Sequence, residues 1–112
     1  MYVEFSDDKH IGNIGKIKKI TISKDVEYID ENTFEDSSVE EIKFEEPSKL
    51  YYFKERAFSY CHFTTIVLPK SLEIIDRDCF RGCYSLESVT FPSTLTDIKE
   101  DAFCWCEKLK KN

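Results

Sequence analysis

The sequence predicts a repeat solenoid, mostly β with short helical turns, coiled as about four stacked units of about 23 residues. Three observations predict it. The segment beginning at Ile66 is matched by the one beginning at Val89, with Pro69 over Pro92 and Phe80 over Phe103. A fixed five-residue step leads from an apolar residue to a phenylalanine four times: Ile29 to Phe34, Phe53 to Phe58, Ile75 to Phe80 and Ile98 to Phe103. Finally, 112 residues with 41% hydrophobic content and nine Phe can close one core, so the whole chain reads as a single domain.

The elements follow in order. Residues 1–19 form a partial repeat whose tail is Ile11, Ile14 and Ile17, and full repeats start near residues 20, 42, 66 and 89. The unit at Ile20 places Ile22, Val26, Ile29, Phe34 and Val39 in the apolar slots, with Ser37 where later units carry Cys. The unit at Ile42 fills the same slots with Phe44, Leu50, Phe53, Phe58, Cys61 and Phe63, and holds two extra residues before Leu50. Ile66-Val67-Leu68 and Val89-Thr90-Phe91 alternate inward and outward with period two, and the proline after each run ends the strand. From Leu72 to Ile75 the chain returns across the coil, and a short helical turn is expected through Asp78, Cys79 and Phe80. A unit this short cannot bury its own apolar face, so each rung must stack on its neighbours, and Phe34, Phe58, Phe80 and Phe103 should form one ladder.

Charge and composition narrow the function. Net charge is −6, from 22 acidic and 16 basic residues, a field that repels phosphate backbones and argues against nucleic acid as a partner. The cluster Lys16, Lys18 and Lys19 is flanked by Asp7, Asp8, Asp25 and Glu27 and reads as a solvated strand face. No apolar run approaches the roughly 18 residues of a membrane helix, so membrane insertion is not expected. The start MYVEFSDD has neither the basic nor the apolar region of a secretion signal, but a piece cut from a longer secreted protein would look the same. The compartment is therefore left open between a cell surface and the cytoplasm.

The order Leu68-Pro69, Leu72, Ile75, Phe80, Cys83, Leu86 and Val89, with Ala57-Phe58 and Ala102-Phe103 elsewhere, resembles the BspA-like, Treponema-type leucine-rich repeats. The resemblance covers nearly everything from Ile17 to Leu109. It implies an elongated right-handed leucine-rich-repeat coil of the kind found in surface and secreted proteins of bacteria and some protists, several of them adhesins. It brings no catalytic residue. Two departures stand out: the first full unit lacks the Cys and the Pro, and neither end carries an evident cap.

Two surfaces are candidates for binding a protein partner. The first is the row of outward positions on the leading strands: Lys18, Lys19 and Thr21; Glu40, Glu41 and Lys43; Thr64, Thr65 and Val67; Glu87, Ser88 and Thr90. These vary from rung to rung while the inward positions repeat, as on the concave faces by which solenoids bind extended partners. A soluble sheet face with no function would look similar, and the row has no aromatic anchor. The second is a strip on the return strands, Tyr28, Tyr51, Tyr52 and Ile74, where tyrosine supplies contact area at low entropy cost.

The five cysteines invite chemistry, and their spacing argues against it. Cys61, Cys83 and Cys106 recur with the repeat and Cys79 shares a slot with Thr33, Ala57 and Ala102, so these read as core residues and mostly free thiols. Only Cys104 breaks the pattern, in Cys104-Trp105-Cys106. A structural zinc site needs paired ligands at finger-like spacing, and His10 and His62 lie far from that C-x-C. His62 adjoins Cys61 but should point to the other side, and Gly12 and Gly15 read as turn residues rather than a phosphate cradle. No enzyme activity, metal or cofactor is expected. The reading is a non-catalytic protein-binding or adhesion module. The alternative is an architectural segment that stacks or self-associates, as a homo-oligomer, through its open ends or the Tyr28/Tyr52/Ile74 strip.

Overall fold

The computed structural model describes residues 2–5 and 17–110. Its strands are β1 (Tyr2–Phe5), β2 (Lys19–Ile22), β3 (Tyr28–Ile29), β4 (Glu41–Phe44), β5 (Tyr52–Phe53), β6 (Thr65–Val67), β7 (Ile74–Ile75), β8 (Ser88–Thr90) and β9 (Asp97–Ile98). All pairings are parallel, and together they make a β-solenoid of about three turns. The return strands form one sheet in the order β3-β5-β7-β9. The leading strands form two, β1-β2-β4 and β6-β8, so the ladder is interrupted between the neighbours β4 and β6. Strand β1, with Val3 opposite Ile20 and Phe5 opposite Ile22, adds a leading strand ahead of the first full unit. The expected tail residues Ile11 and Ile14 lie outside the described residues, as do His10, Gly12, Gly15 and Lys16.

Register places equivalent slots over one another. Ile20 lies beside Ile42, Ile66 beside Val89, and Ile29, Phe53, Ile75 and Ile98 follow each other along the return sheet. The phenylalanine ladder stacks nearly face on: centroids are 5.3 Å apart from Phe34 to Phe58, 5.3 Å from Phe58 to Phe80 and 5.1 Å from Phe80 to Phe103. Phe53 and Phe63 meet this stack edge-on, which suits the quadrupole of the rings.

The corner at each phenylalanine is not helical, and no helix occurs among the described residues. The expected helical turn at Asp78, Cys79 and Phe80 is a succession of tight turns in which alternate amides have different partners. Cys79, Arg81 and Cys83 donate back three residues, to Asp76, Asp78 and Phe80, whereas Asp78, Phe80 and Gly82 donate to Glu100, Ala102 and Cys104 of the next coil. A helix would turn every amide inward along its own axis; here half of them tie coil to coil. The left-handed backbone that permits this recurs two residues before each ladder phenylalanine, at Asn32, Arg56, Asp78 and Asp101, and two after it, at Asp36, Tyr60, Gly82 and Trp105. Such residues cannot propagate a right-handed helix.

The cysteine slot also joins coils. The thiols of Cys61, Cys83 and Cys106 donate to the carbonyls of Phe34, Phe58 and Phe80 at 3.0, 3.2 and 3.1 Å. Ser37, in the equivalent slot of the first full unit, is buried with its hydroxyl 3.6 Å from the Cys61 sulfur. The Ser there thus makes a polar contact with the same slot of the next coil. In the last described coil Phe91 and Ile98 are 47% and 49% exposed, although their counterparts Leu68 and Ile75 are buried.

Candidate functional site

The outward row on the leading strands divides into two chemically different halves. Toward the N-terminal side, Lys18 pairs with Glu40 at 3.7 Å and Lys19 with Glu41 at 3.8 Å, each pair bridging adjacent coils with both partners exposed. Ion pairs this exposed contribute at most about 1 kcal/mol, so they offer charge rather than rigidity. Toward the C-terminal side the row is mainly hydroxylic, with Glu87 its charged member, and the Thr65 and Ser88 hydroxyls lie 2.9 Å apart. The backbones of Lys18 and Thr64 are engaged in the coil, accepting from Glu40 and Glu41 and from Glu87 and Ser88, while all these side chains remain exposed. Lys43 and Thr90 are exposed as well.

Thr21 departs from the expected pattern. It was expected to face outward with its neighbours but is only 4% exposed. In register it lies between Glu4 of β1 and Lys43 of β4. Thr21 therefore does not belong to the accessible face.

Val67 is the opposite case, an apolar side chain 62% exposed on the same face. It stands where the leading sheet is interrupted, between a hollow of about 350 Å³ that reaches Glu41, Lys43 and Glu46 and one of about 300 Å³ that reaches Thr90, Phe91 and Pro92. Lys70 borders both. The segment after β4 closes one side: the Glu46 carboxylate accepts from the Lys70 amide at 2.9 Å and from the Ser48 amide at 3.2 Å, and the Glu46-Pro47 peptide is cis. Glu46 and Lys70 were not among the expected outward residues because they lie just beyond the strands, and Phe91, read as an inward strand residue, is half exposed. The extra residues before Leu50 were the signal that pointed to this place.

The tyrosine strip is assembled as expected, with Tyr28, Tyr52, Ile74 and Asp97 in register. Much of it is already engaged within the chain. The Lys54 ammonium lies 4.3 Å over the Tyr28 ring, Tyr52 donates its hydroxyl to Asp76, and Tyr52 and Ile74 are half-buried, leaving Tyr28 and Tyr51 exposed. The bond to Asp76, with burial second, pushes the Tyr52 hydroxyl up to about 12. Burial works against the Asp76 carboxylate, yet the Tyr52 hydroxyl and the Arg77 amide hold it below its ordinary range.

A further aromatic group, not anticipated, lines the corners: Tyr60, Tyr84 and Trp105, with the Arg81 guanidinium 4.3 Å over the Trp105 ring. Tyr60, Gly82 and Trp105 occupy one slot, and the Tyr60 ring lies over Gly82 where a Cβ would clash with it.

Cys61, Cys79 and Cys83 have the environment of packing residues, while Cys104 and Cys106 are only partly buried. Burial pushes the Cys61 thiol up to about 12 and the Cys79 thiol upward too, while the hydrogen bond with Cys106, with burial second, raises Cys83. Buried thiols held protonated are poor nucleophiles. Among the described residues no group of three or more His, Cys, Asp or Glu could hold a metal ion, and no helix is long and apolar enough to cross a membrane.

Comparison with known proteins agrees with this architecture. The crystal structure of the pneumococcal vaccine antigen PcpA superimposes with a TM-score of 0.73 at 29% identity, over 89% of this chain. The chain spans 25% of that antigen's length. No curated protein matches the sequence. The family model for the BspA type leucine rich repeat region matches residues 8–112 in six copies, two more than the four full units read from the sequence. With that match over nearly the whole chain, and with stacked phenylalanine and cysteine slots that answer to the repeat, the protein belongs to the BspA-type leucine-rich-repeat family.

Proposed function

We propose that the chain is a non-catalytic protein-binding or adhesion module, a right-handed coil of four full units whose outward strand face engages an extended segment of a partner protein. Val67 is the observation that supports this most: a solvent-exposed branched side chain at a break in the sheet, between two hollows, on a face otherwise charged or hydroxylic. An apolar anchor rimmed by Lys43, Lys70, Glu41 and Glu46 combines desolvated contact area at the centre with charge selection at the edge. The likeness to a vaccine antigen and the family's use of repeats as interaction surfaces point the same way.

The test is selection of peptides from a display library against the whole chain, followed by titration of the selected peptides on Val67→Asp. Binding at least tenfold weaker, with an unchanged denaturation midpoint, is expected. Equal affinity for both proteins would remove this face from consideration. A second reading, an architectural segment that self-associates through its ends, is favoured by the apolar side chains left exposed in the last coil.

A further inference from the structure

We propose that the hollow beside Val67 takes an acidic segment of a partner protein, with an apolar side chain on Val67 flanked by carboxylates that reach Lys43 and Lys70. This inference rests on the first reading above and specifies the chemistry of the partner.

The site is internal to the coil. Every residue bordering the hollow of about 350 Å³ lies between positions 41 and 70, and strands of the same chain flank it on both sides, β2 before β4 and β8 after β6. The break between β4 and β6 opens its floor. Ile42 and Phe44 are 8% and 7% exposed there, whereas their counterparts Ile20 and Ile22, inside a continuous sheet, are 1% exposed. Val67 stands at the rim of that apolar floor as the branched side chain most open to solvent.

The charges around it do not cancel. Its acids are committed: Glu41 pairs with Lys19 at 3.8 Å, and the two Glu46 oxygens accept from the Ser48 and Lys70 amides. Its cations are not. Lys18 and Lys19 meet Glu40 and Glu41 on the adjacent coil, but the row of Lys43 runs through Thr21 and Val67, neither of them acidic. No ion pair among the described residues includes Lys43 or Lys70. The root of Lys70 is nevertheless fixed, its amide on Glu46 and its carbonyl accepting the Thr94 hydroxyl at 2.9 Å. It borders both hollows beside Val67 and a third of about 450 Å³ formed with Pro47 and Ser48.

One uncompensated ammonium thus lies across the break from Val67 and the other lies along the chain from it. The complementary ligand has an apolar group with carboxylates on either side. A polysulfated polysaccharide would meet the same lysines, but a net charge of −6 repels a uniform polyanion, and such a ligand leaves Val67 uncovered. A short acidic protein segment carries both chemistries within a few residues. The two kinds of contact also act on different rates: charges at a rim mainly set association and its salt dependence, whereas the desolvated apolar centre mainly sets dissociation.

The experiment selects peptides from an unbiased display library on the whole chain and measures their binding rates by surface plasmon resonance at low and high salt. Selected peptides are expected to carry Asp or Glu beside an apolar residue and to associate more slowly at high salt. Lys43→Glu and Lys70→Glu should each slow association at least about fivefold at low salt while leaving dissociation within about twofold. A peptide with its acidic residue changed to Lys should recover on the charge-reversed protein, and Val67→Ser should act on dissociation instead. Circular dichroism serves as the folding control. Val67-dependent peptides that are neutral, or indifferent to both lysine variants, would overturn the acidic partner while leaving the docking face standing. A selection that returns no Val67-dependent peptide would overturn both. Dextran sulfate held by both lysines without need of Val67 would overturn the choice of a protein segment.

Discussion

Truncating Phe80 tests the stacked ladder most directly. Its ring is fully buried, stacked on Phe58 and Phe103 at 5.3 and 5.1 Å, and met edge-on by Phe53 and Phe63 at 6.1 and 6.3 Å. Phe80→Ala removes a side chain from an interior held on both sides by neighbouring coils, which cannot collapse into the gap without breaking the amide bonds between Phe80 and Ala102 and between Phe58 and Cys79. Removing about 150 Å² of apolar surface at about 25 cal/mol per Å² corresponds to about 4 kcal/mol, within the roughly 3–5 kcal/mol measured for such truncations. Phe103→Ala should cost only about half as much, because that ring is partly exposed, with a stacked partner on one side alone, Phe80. For a domain of ordinary stability, about 5–15 kcal/mol, the Phe80 variant would be at or near unfolding while the Phe103 variant remained folded. Urea denaturation followed by circular dichroism measures both, with an unchanged slope showing that the unfolded states are comparable. Equal losses at the two positions would refute the stacking account, since it makes the cost depend on how many coils enclose the ring.

Two further predictions follow from single contacts. Gly82→Ala introduces a Cβ into the Tyr60 ring, whereas the left-handed backbone itself is tolerated by Asp36, Tyr60 and Trp105 in the same slot. The substitution should cost about 1–2 kcal/mol, and much of that loss should disappear in a Tyr60→Ala background; additive losses in a double-mutant cycle would contradict the proposed clash. For Tyr52, a folded-state pKa raised to about 12 means that the folded protein keeps a proton that the unfolded chain releases near 10. Its contribution is thus fully present below about pH 10 and is lost as pH rises toward 12. Titration by tyrosinate absorbance should show one late phase that vanishes in Tyr52→Phe; an unaltered titration curve would show that Asp76 does not hold that hydroxyl.

Legibility varied with distance along the chain. The slots occupied by Phe34, Phe58, Phe80 and Phe103, and by Cys61, Cys83 and Cys106, were readable because the same residue type recurs at a fixed interval and only stacking buries it. The tyrosine strip was readable for the same reason, although its engagement by Lys54 and Asp76 was not, since each partner reaches its tyrosine from the adjacent coil, about a full repeat away in sequence. The corner was misread as helical because Asp78-Cys79-Phe80 has no residue that forbids a helix; the competition of the next coil for alternate amides becomes apparent only when the coils are stacked.

The amino-acid sequence by itself determined the period, the inward side chains and the family, because a slot filled by large apolar residues at each repeat has one way to leave water. Tertiary structure alone decided which outward residues are accessible. Period two assigns Thr21 and Val67 to the same face, yet one is buried and the other stands exposed at a gap in the sheet. Exposure is set by what the neighbouring coils place alongside a residue, and that depends on chain segments about a full repeat away.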